Sequence, residues 1–486
     1  MNKIILGLLL NLLIYGSVSA QIYMYGTTLE GGTNNLGTIY RVDQNGQNYE
    51  KVFDFSTTTG GRPTAGLTLA NNGKLYGLTN IEGQIANAGA TVKLGSFFEF
   101  DPLTNNFQVI QYFDELSLTG YSHNDSPVLS ASGLLYAASP ISGPTLSDDG
   151  KIWSYDVNTN TIQVLATITS SAYGFCDSKL MEATDGNLYF TTAQGVNFGA
   201  VVRFNTQSNL LENIFTSTGG GTPTQDQFES AINNPLFEAS DGFLYGASRA
   251  GGNNGKGNVF KIDKNGNNYQ TLFSFTFGLN TEGFDPQGGF VEKNGFLYSA
   301  TKQLQALDQY SGTFYKIEIA TGNLTFTNLL DLEGVSPLGT FVESPNGRLY
   351  ITCSGGNENS GSIVELRLSN GVITQRYAFN NNDSSTPLRN SLEIVDFSAL
   401  SIDESSLLDN IVKTYPNPFQ DIVNIKVEGS HLIETIKILD MKGSELYIDN
   451  SISNESNLNT SFLSSGVYLL YIQTDLGSTT RKIIKE

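Results

Sequence analysis

The sequence predicts an all-β protein, a seven-bladed β-propeller followed by a small Ig-like β-sandwich. Three observations lead there. A Leu-Tyr step closes a Gly-x-Leu-Tyr word at residues 73–76, 133–136, 186–189, 242–245, 295–298 and 347–350, and a degenerate first copy, Met24-Tyr25-Gly26, lacks the leading glycine. Successive tyrosines lie 51, 60, 53, 56, 53 and 52 residues apart, and a period near about 50 residues built from short strands marks propeller blades rather than helical solenoids. Composition agrees: only 15% of residues are charged, while Gly reaches 51, Tyr 23 and Phe 29, which suits many short, glycine-punctuated strands with aromatic faces. Third, the repeats stop at residue 396 of 486, and several short alternating strands follow, as in a small sandwich.

Residues 1–20 read as an export signal. Lys3 supplies the positive end, residues 4–15 are mostly apolar, and Val18-Ser19-Ala20 places small residues before a cut between Ala20 and Gln21. The apolar run is shorter than the roughly 20 residues a membrane-spanning helix needs; a membrane anchor is the rival reading. No other stretch approaches that length, so no transmembrane segment is expected in the mature protein.

Residues 21–396 carry the repeats. In the third copy, 126–132 is a small-residue strand, Gly133 turns it into 134–138, and 151–155 and 162–168 complete the set. The third run recurs at 38–43, 96–101, 200–205, 258–263, 313–318 and 362–367 with apolar and polar positions alternating, the half-buried strand pattern. After the signal the chain enters on the second strand of a blade, 23–27, and the repeat region ends on a first strand, 387–395. Pairing those two closes the ring and removes an exposed edge. An open β-solenoid is the structural rival.

The order small-residue strand, Gly-x-Leu-Tyr strand, Gly-Gly loop, aromatic strand and polar turn resembles Kelch-type blades. The words Leu75-Tyr-Gly-Leu-Thr79 and Leu244-Tyr-Gly-Ala-Ser-Arg-Ala-Gly-Gly252 resemble more closely the GloVer-type tandem repeats of exported bacterial proteins. Only the first and fifth copies keep a full Gly-Gly, at Gly31-Gly32 and Gly251-Gly252. The resemblance implies a propeller.

Residues 397–412 form a polar linker without a repeat word, and residues 413–486 change character. They open on Tyr415-Pro416-Asn417-Pro418, continue through a strand ending in Asp440 and Gly443, and close on Gly466-Val-Tyr468 before a lysine-rich end. That ordered set closely resembles the type A C-terminal sorting domain of the type IX secretion system. The resemblance implies that the secretion machinery is a partner, and that the protein crosses the periplasm and outer membrane to be attached to the cell surface or released. An accessory Ig-like binding module is the alternative.

Charge and ligand inventory limit the chemistry. Lys+Arg 27 against Asp+Glu 47 gives a formal charge of −20, which opposes nucleic-acid binding, since that rests on neutralising phosphates. Two cysteines, Cys176 and Cys353, are too few for a disulfide framework and are expected as buried free thiols. With only His123 and His431, a multi-histidine metal site lacks ligands. The words at Asp43-x-Asn-Gly46 and Asp263-x-Asn-Gly266 look like fragments of calcium loops but lack the remaining oxygen ligands, and Asn-Gly hairpins explain them. No phosphate loop or nucleophile elbow is present, so no catalytic residue, metal or cofactor is assigned.

Strand alternation puts the long insertions 81–95, 115–125, 217–233, 277–285 and 302–312 on one face. Tyr121, His123, Phe228, Phe284 and Tyr310 are the candidate ligand residues there, with Glu30, Glu82, Asp148, Asp149, Asp226, Glu229, Glu282 and Asp308 as acids. Aromatic faces and carboxylates suit sugar rings and hydroxyls. The reading is a monomeric exported module that binds a glycan, peptide or matrix polymer without catalysis. A polysaccharide hydrolase or lyase, working through a pair of those acids, is the rival.

Overall fold

The computed structural model describes residues 22–486 apart from 81–94, 114–118, 121–124, 141–148, 177, 194–198, 218–227, 230–233, 253–254, 277–281, 307–308, 330–335, 355–360, 381–391, 398–411, 428–430, 441–443, 451–452 and 475–476. Among the described residues regular structure is nearly all strand, with one short helix element, Ser170–Tyr173. Ile22–Val395 forms one compact unit, and a second holds the chain from Asp396 onward.

Among the described residues seven sheets of the first unit follow the predicted four-strand order, and a two-stranded pair, Phe228–Glu229 with Ala250–Gly251, lies beside them. Sheet 1 joins Ile22–Thr28, Thr38–Asp43 and Glu50–Asp54 to Glu393–Asp396. Sheet 2 holds Thr68–Leu69, Leu75–Leu78, Ser96–Phe100 and Phe107–Tyr112; sheet 3 holds Val128–Leu129, Leu135–Ser139, Gly150–Asp156 and Thr161–Ile168. Sheet 4 comprises Met181–Glu182, Leu188–Thr192, Ala200–Asn205 and Leu210–Thr216, and sheet 5 Phe237–Glu238, Leu244–Ser248, Asn258–Ile262 and Gln270–Ser274. Sheet 6 is Phe284–Lys293, Phe296–Ala306, Gln309–Glu318 and Leu324–Asn328. Sheet 7 is Val342–Glu343, Leu349–Ser354, Ser362–Arg367 and Val372–Ala378, with Ser336–Pro337 also paired to Leu349–Ser354. The closing strand of sheet 1 sits where the repeat frame places it, but over 393–396; residues 387–391 lie outside the described residues.

Each sheet packs on the next, and the last packs on the first. Buried clusters join sheets 2 and 3 through Phe97 and Trp153, 3 and 4 through Ile152 and Phe190, and 4 and 5 through Tyr189 and Phe260. Tyr245 and Tyr315 join 5 and 6, Phe314 and Leu349 join 6 and 7, and Tyr40 and Tyr350 join 7 and 1. Sheets 1 and 2 meet through Phe53 stacked on Phe107, with ring centroids 3.9 Å apart. The same stacked pair recurs as Phe215 on Tyr269 between sheets 4 and 5 (4.4 Å) and as Tyr377 on Tyr49 between sheets 7 and 1 (4.7 Å). The contact between the two ends of the repeat region is thus the same contact that joins interior neighbours.

Register explains the repeat word. The residue after each tyrosine faces the centre of the third strand, and the two sizes compensate. Gly26 faces Tyr40, Gly77 faces Phe98 and Gly246 faces Phe260, whereas Ala137 faces Trp153, Phe190 faces Val202 and Ile351 faces Val364. A Cβ on Gly26, Gly77 or Gly246 would run into the facing ring, so glycine there is a packing requirement. Four of the tyrosine hydroxyls are held by the residue preceding the turn glycine: Tyr189 donates to Asp185 (2.8 Å), Tyr245 donates to Asp241 (2.9 Å), and Asn72 and Asn346 donate to Tyr76 (2.8 Å) and Tyr350 (3.1 Å). A ring buried with its hydroxyl satisfied contributes its apolar area without a desolvation penalty.

The carboxy-terminal unit is a two-sheet sandwich. One sheet orders Val412–Tyr415, Ile422–Val427 and Glu455–Asn459; the other orders Glu445–Asp449, Ile433–Leu439, Gly466–Thr474 and Gly477–Lys485. Val423, Ile425, Ile436, Ile438, Leu470 and Ile472 from both sheets share one core, as period-two alternation requires.

Candidate functional site

The two ends of the seven sheets differ in chemistry. At the hairpin end of sheets 1 and 5 the turn carboxylates are consumed by the fold. Asp43 accepts from the Asn45 and Gln47 amides (2.8 and 2.9 Å) and from Asn48 Nδ2 (2.8 Å). Asp263 repeats this with Asn265, Asn267 and Asn268, each at 2.9 Å. Both carboxylates therefore serve their own turns. Glutamates stitch the first strands of sheets 4, 5 and 6 to the sheet before: Glu182 accepts from Ala131 N (2.6 Å), Glu238 from Thr184 N (2.5 Å) and Glu292 from Ser240 N (2.8 Å). Burial works against the charge of Glu238, but Lys264 and Thr184 outweigh it and hold the carboxyl below its ordinary range.

The other end carries the variable connections. The second strand of sheet 4 ends at Thr192 and the third begins at Ala200, whereas in sheet 2 the corresponding residues are Leu78 and Ser96. The expected insertion at 302–312 is mostly strand: Phe296–Ala306 and Gln309–Glu318 extend as a ribbon in which Gln305 faces Tyr310. Ladder hydrogen bonding continues past the body of the sheet, so this segment is not a loop.

Three candidate aromatics come to this end of sheets 5 and 6. Phe228 pairs by its backbone with Gly251, in the Gly-Gly turn of sheet 5. Phe284 opens the first strand of sheet 6, pairs with Gln303 at the base of the ribbon, and has Lys256 Nζ 5.8 Å from its ring centroid. Tyr310 lies in the ribbon itself. Arg249 donates to Asp285 beside them (2.8 Å), and an equivalent latch with the charges reversed, Arg62 on Glu30 (2.7 Å), sits between sheets 1 and 2. Asp149 accepts from the Ser170 amide (2.8 Å). Tyr121, His123, Glu82, Asp148, Asp226 and Asp308 lie outside the described residues. No group of three or more His, Cys, Asp or Glu side chains that could hold a metal occurs among the described residues, and Cys176 and Cys353 are free and buried.

In the second unit the motif residues from both ends of the domain meet. Asn417 donates to Lys482 O (3.0 Å) and accepts from Ile484 N (2.9 Å), so its amide acts as one more backbone partner for the final strand. Phe419 N donates to Ile484 O and Glu486 N to Phe419 O, both at 2.9 Å. The bonds Tyr415-Pro416 and Asn417-Pro418 are cis. Gly466 faces Lys485, and the Tyr468 hydroxyl donates to Ser464 O (2.8 Å). Lys485 contacts Gln420 O and Asp421. Gly443 lies outside the described residues.

Fold and tail together define a propeller protein carrying an export domain. The chain belongs to the Gloeobacter/Verrucomicrobia repeat family, whose model matches residues 16–204 and 178–397. Residues 413–486 match the secretion system C-terminal sorting domain. That tail sends the protein through type IX secretion to the cell surface or the medium. No curated protein matches the chain. Among solved structures, candidate 6-phosphogluconolactonases from Bacteroides fragilis (15% identity, TM-score 0.51) and Bacteroides uniformis (12%, 0.50) share the fold. The match covers 78% and 77% of this chain and 99% of each of those chains. PorZ, a surface component of the type IX system of Porphyromonas gingivalis, aligns at 12% identity with TM-score 0.45 over 93% of this chain. The alignment spans 63% of the PorZ chain. No helix among the described residues is long and apolar enough to cross a membrane.

Proposed function

We propose that the protein is a non-enzymatic binding module, delivered to the cell exterior by its tail, that holds a glycan, peptide or matrix polymer at the variable end of a seven-bladed ring. What supports this reading is that the backbone carries positions 228, 284 and 310 to that end of sheets 5 and 6, near Lys256 and the Arg249–Asp285 pair. A rigid scaffold presenting aromatic faces next to charged hydrogen-bonding groups suits polymers that offer both apolar ring faces and polar edges. The chain works as a monomer after cleavage between Ala20 and Gln21. Within the tail, Tyr415, Pro416, Asn417, Pro418, Gly443, Gly466 and Tyr468 form the segment that the secretion machinery reads.

A polysaccharide panel tests this with two readouts, retention and product release. Retention without product release is expected. Phe284→Ala and Tyr310→Ala should each weaken retention about tenfold, the equivalent of roughly 1.4 kcal/mol; Phe284→Ala also lowers the melting temperature, because Phe284 packs on the core of sheets 5 and 6. Substitutions at Asn45 and Asn265 in the opposite hairpins should leave retention unchanged. Loss from the hairpin set alone would move the site to the other face, and product release would favour the hydrolase or lyase.

A further inference from the structure

Sheet 7 holds a cluster of charge that its neighbours do not. In sheets 1, 2 and 4 one cation meets one carboxylate: Arg41 with Glu50 (2.6 Å), Lys74 with Glu99 (2.7 Å) and Arg203 with Glu212 (2.5 Å). In sheet 7 three guanidiniums converge on Glu365, whose side chain is fully buried. Arg376 Nε donates to it at 2.7 Å, Arg348 Nη1 approaches to 3.1 Å and Arg367 Nη2 to 3.6 Å. The Tyr350 hydroxyl donates as well (3.3 Å). Burial opposes the charge on Glu365, but the hydrogen bond from Arg376 and the field of Arg348 outweigh it and hold the carboxyl below its ordinary range.

One negative charge against three positive leaves an island of two net positive charges on a protein of formal charge −20. Among the described residues these three arginines have no other carboxylate partner. Arg367 Nε is buried without a hydrogen-bond partner. The side chains of Arg376, Arg348 and Arg367 are nonetheless 18%, 29% and 37% exposed, so a ligand can reach them. Neutralising Glu365 needs one cation; the other two require a different explanation.

We propose that Arg348, Arg367 and Arg376 form a binding site for an oxyanion group, a sulfate ester or a carboxylate. Planar guanidinium forks match such groups in a bidentate way that a lysine cannot, and Glu365 holds the forks together against their mutual repulsion. The site lies at the hairpin end of sheet 7, where Arg367 closes the third strand, so it is separate from the aromatic end of sheets 5 and 6 and does not depend on it.

Binding of the full-length chain to dextran sulfate, polygalacturonate and neutral dextran at low salt tests the site, with inorganic sulfate as competitor. At least one charged polymer should bind and neutral dextran should not. Arg367→Ala should lower that affinity about tenfold, and added salt should weaken it further. Lys151→Ala, an equal charge change on sheet 3, should leave it unchanged. Arg367→Gln replaces Arg367→Ala if the latter melts early. Competition by inorganic sulfate at equal affinity per anion would support the site as one for free anions; weaker competition supports a polymer-borne group. Failure of every oxyanion probe to bind, equal binding by wild type and Arg367→Ala, or an equal loss in Lys151→Ala would overturn the proposal.

Discussion

At the scale of single residues, the fold rests on pairs that compensate across adjacent strands. Gly246 is open to a test because the ring of Phe260 fills the space its side chain would occupy. Gly246→Ala should cost on the order of 1–3 kcal/mol by overpacking, and Phe260→Leu in the same molecule should restore part of it. A double-mutant cycle by chemical denaturation measures the coupling; strictly additive costs would show that the two positions do not share that space. Glu393, on the strand that completes sheet 1, offers a second test. Burial raises its carboxyl from an ordinary 4.5 to about 7, against the partial opposition of Lys179 and the Leu69 backbone. A raised acid pKa means that the folded state holds the proton more tightly, so this contribution to stability is complete below pH 4.5 and is lost as pH rises through about 7. Glu393→Gln should match the wild type near pH 4 and exceed it at pH 8, by at most about 3 kcal/mol. Melting curves across that range check the sign, and equal losses in both proteins on raising the pH would contradict it.

At the scale of elements, the closing strand is the critical piece. Without 387–396, Ile22–Thr28 loses its neighbour in sheet 1, and Leu392 and Val395 leave buried positions. Burial lost on that scale lowers the melting midpoint by on the order of 10 °C, and unchanged melting would argue against closure. Much of this was legible in the sequence, because a period-two strand with a glycine turn and a tyrosine every 50-odd residues leaves few alternatives. The limits lay elsewhere. First strands were expected over runs such as 126–132 but pair only over Val128–Leu129, since small residues near a turn reveal strand character without revealing how many of them find a partner. The ribbon at 296–318 was hidden for a similar reason: Lys302–Gly312 lacks clean alternation, and its pairing is fixed by the opposing segment. The facing pairs such as Gly77 with Phe98, and the turn residues that hold the tyrosine hydroxyls, were present in the aligned repeats. They become meaningful only once register says which positions face each other.

At the scale of the whole molecule, the division into a repeat region and a sorting tail was the most legible property. The Tyr-Pro-Asn-Pro opening and the Gly466-Val-Tyr468 strand stood far apart in sequence, and Asn417 joins the opening to the backbone of the last strand. The candidate aromatics were a weaker signal. The backbone brings positions 228, 284 and 310 to one end of two sheets, but nothing in their spacing distinguished them from Tyr121, and the arginine triad of sheet 7 requires three strands in register before it exists at all. The sandwich has its own core, so the propeller should fold without it. Truncation after Asn410, followed by fractionation of periplasm, cell surface and medium, tests the account most directly. It predicts a folded, protease-resistant propeller retained in the periplasm; the same truncated protein found outside the cell in normal amount would contradict it.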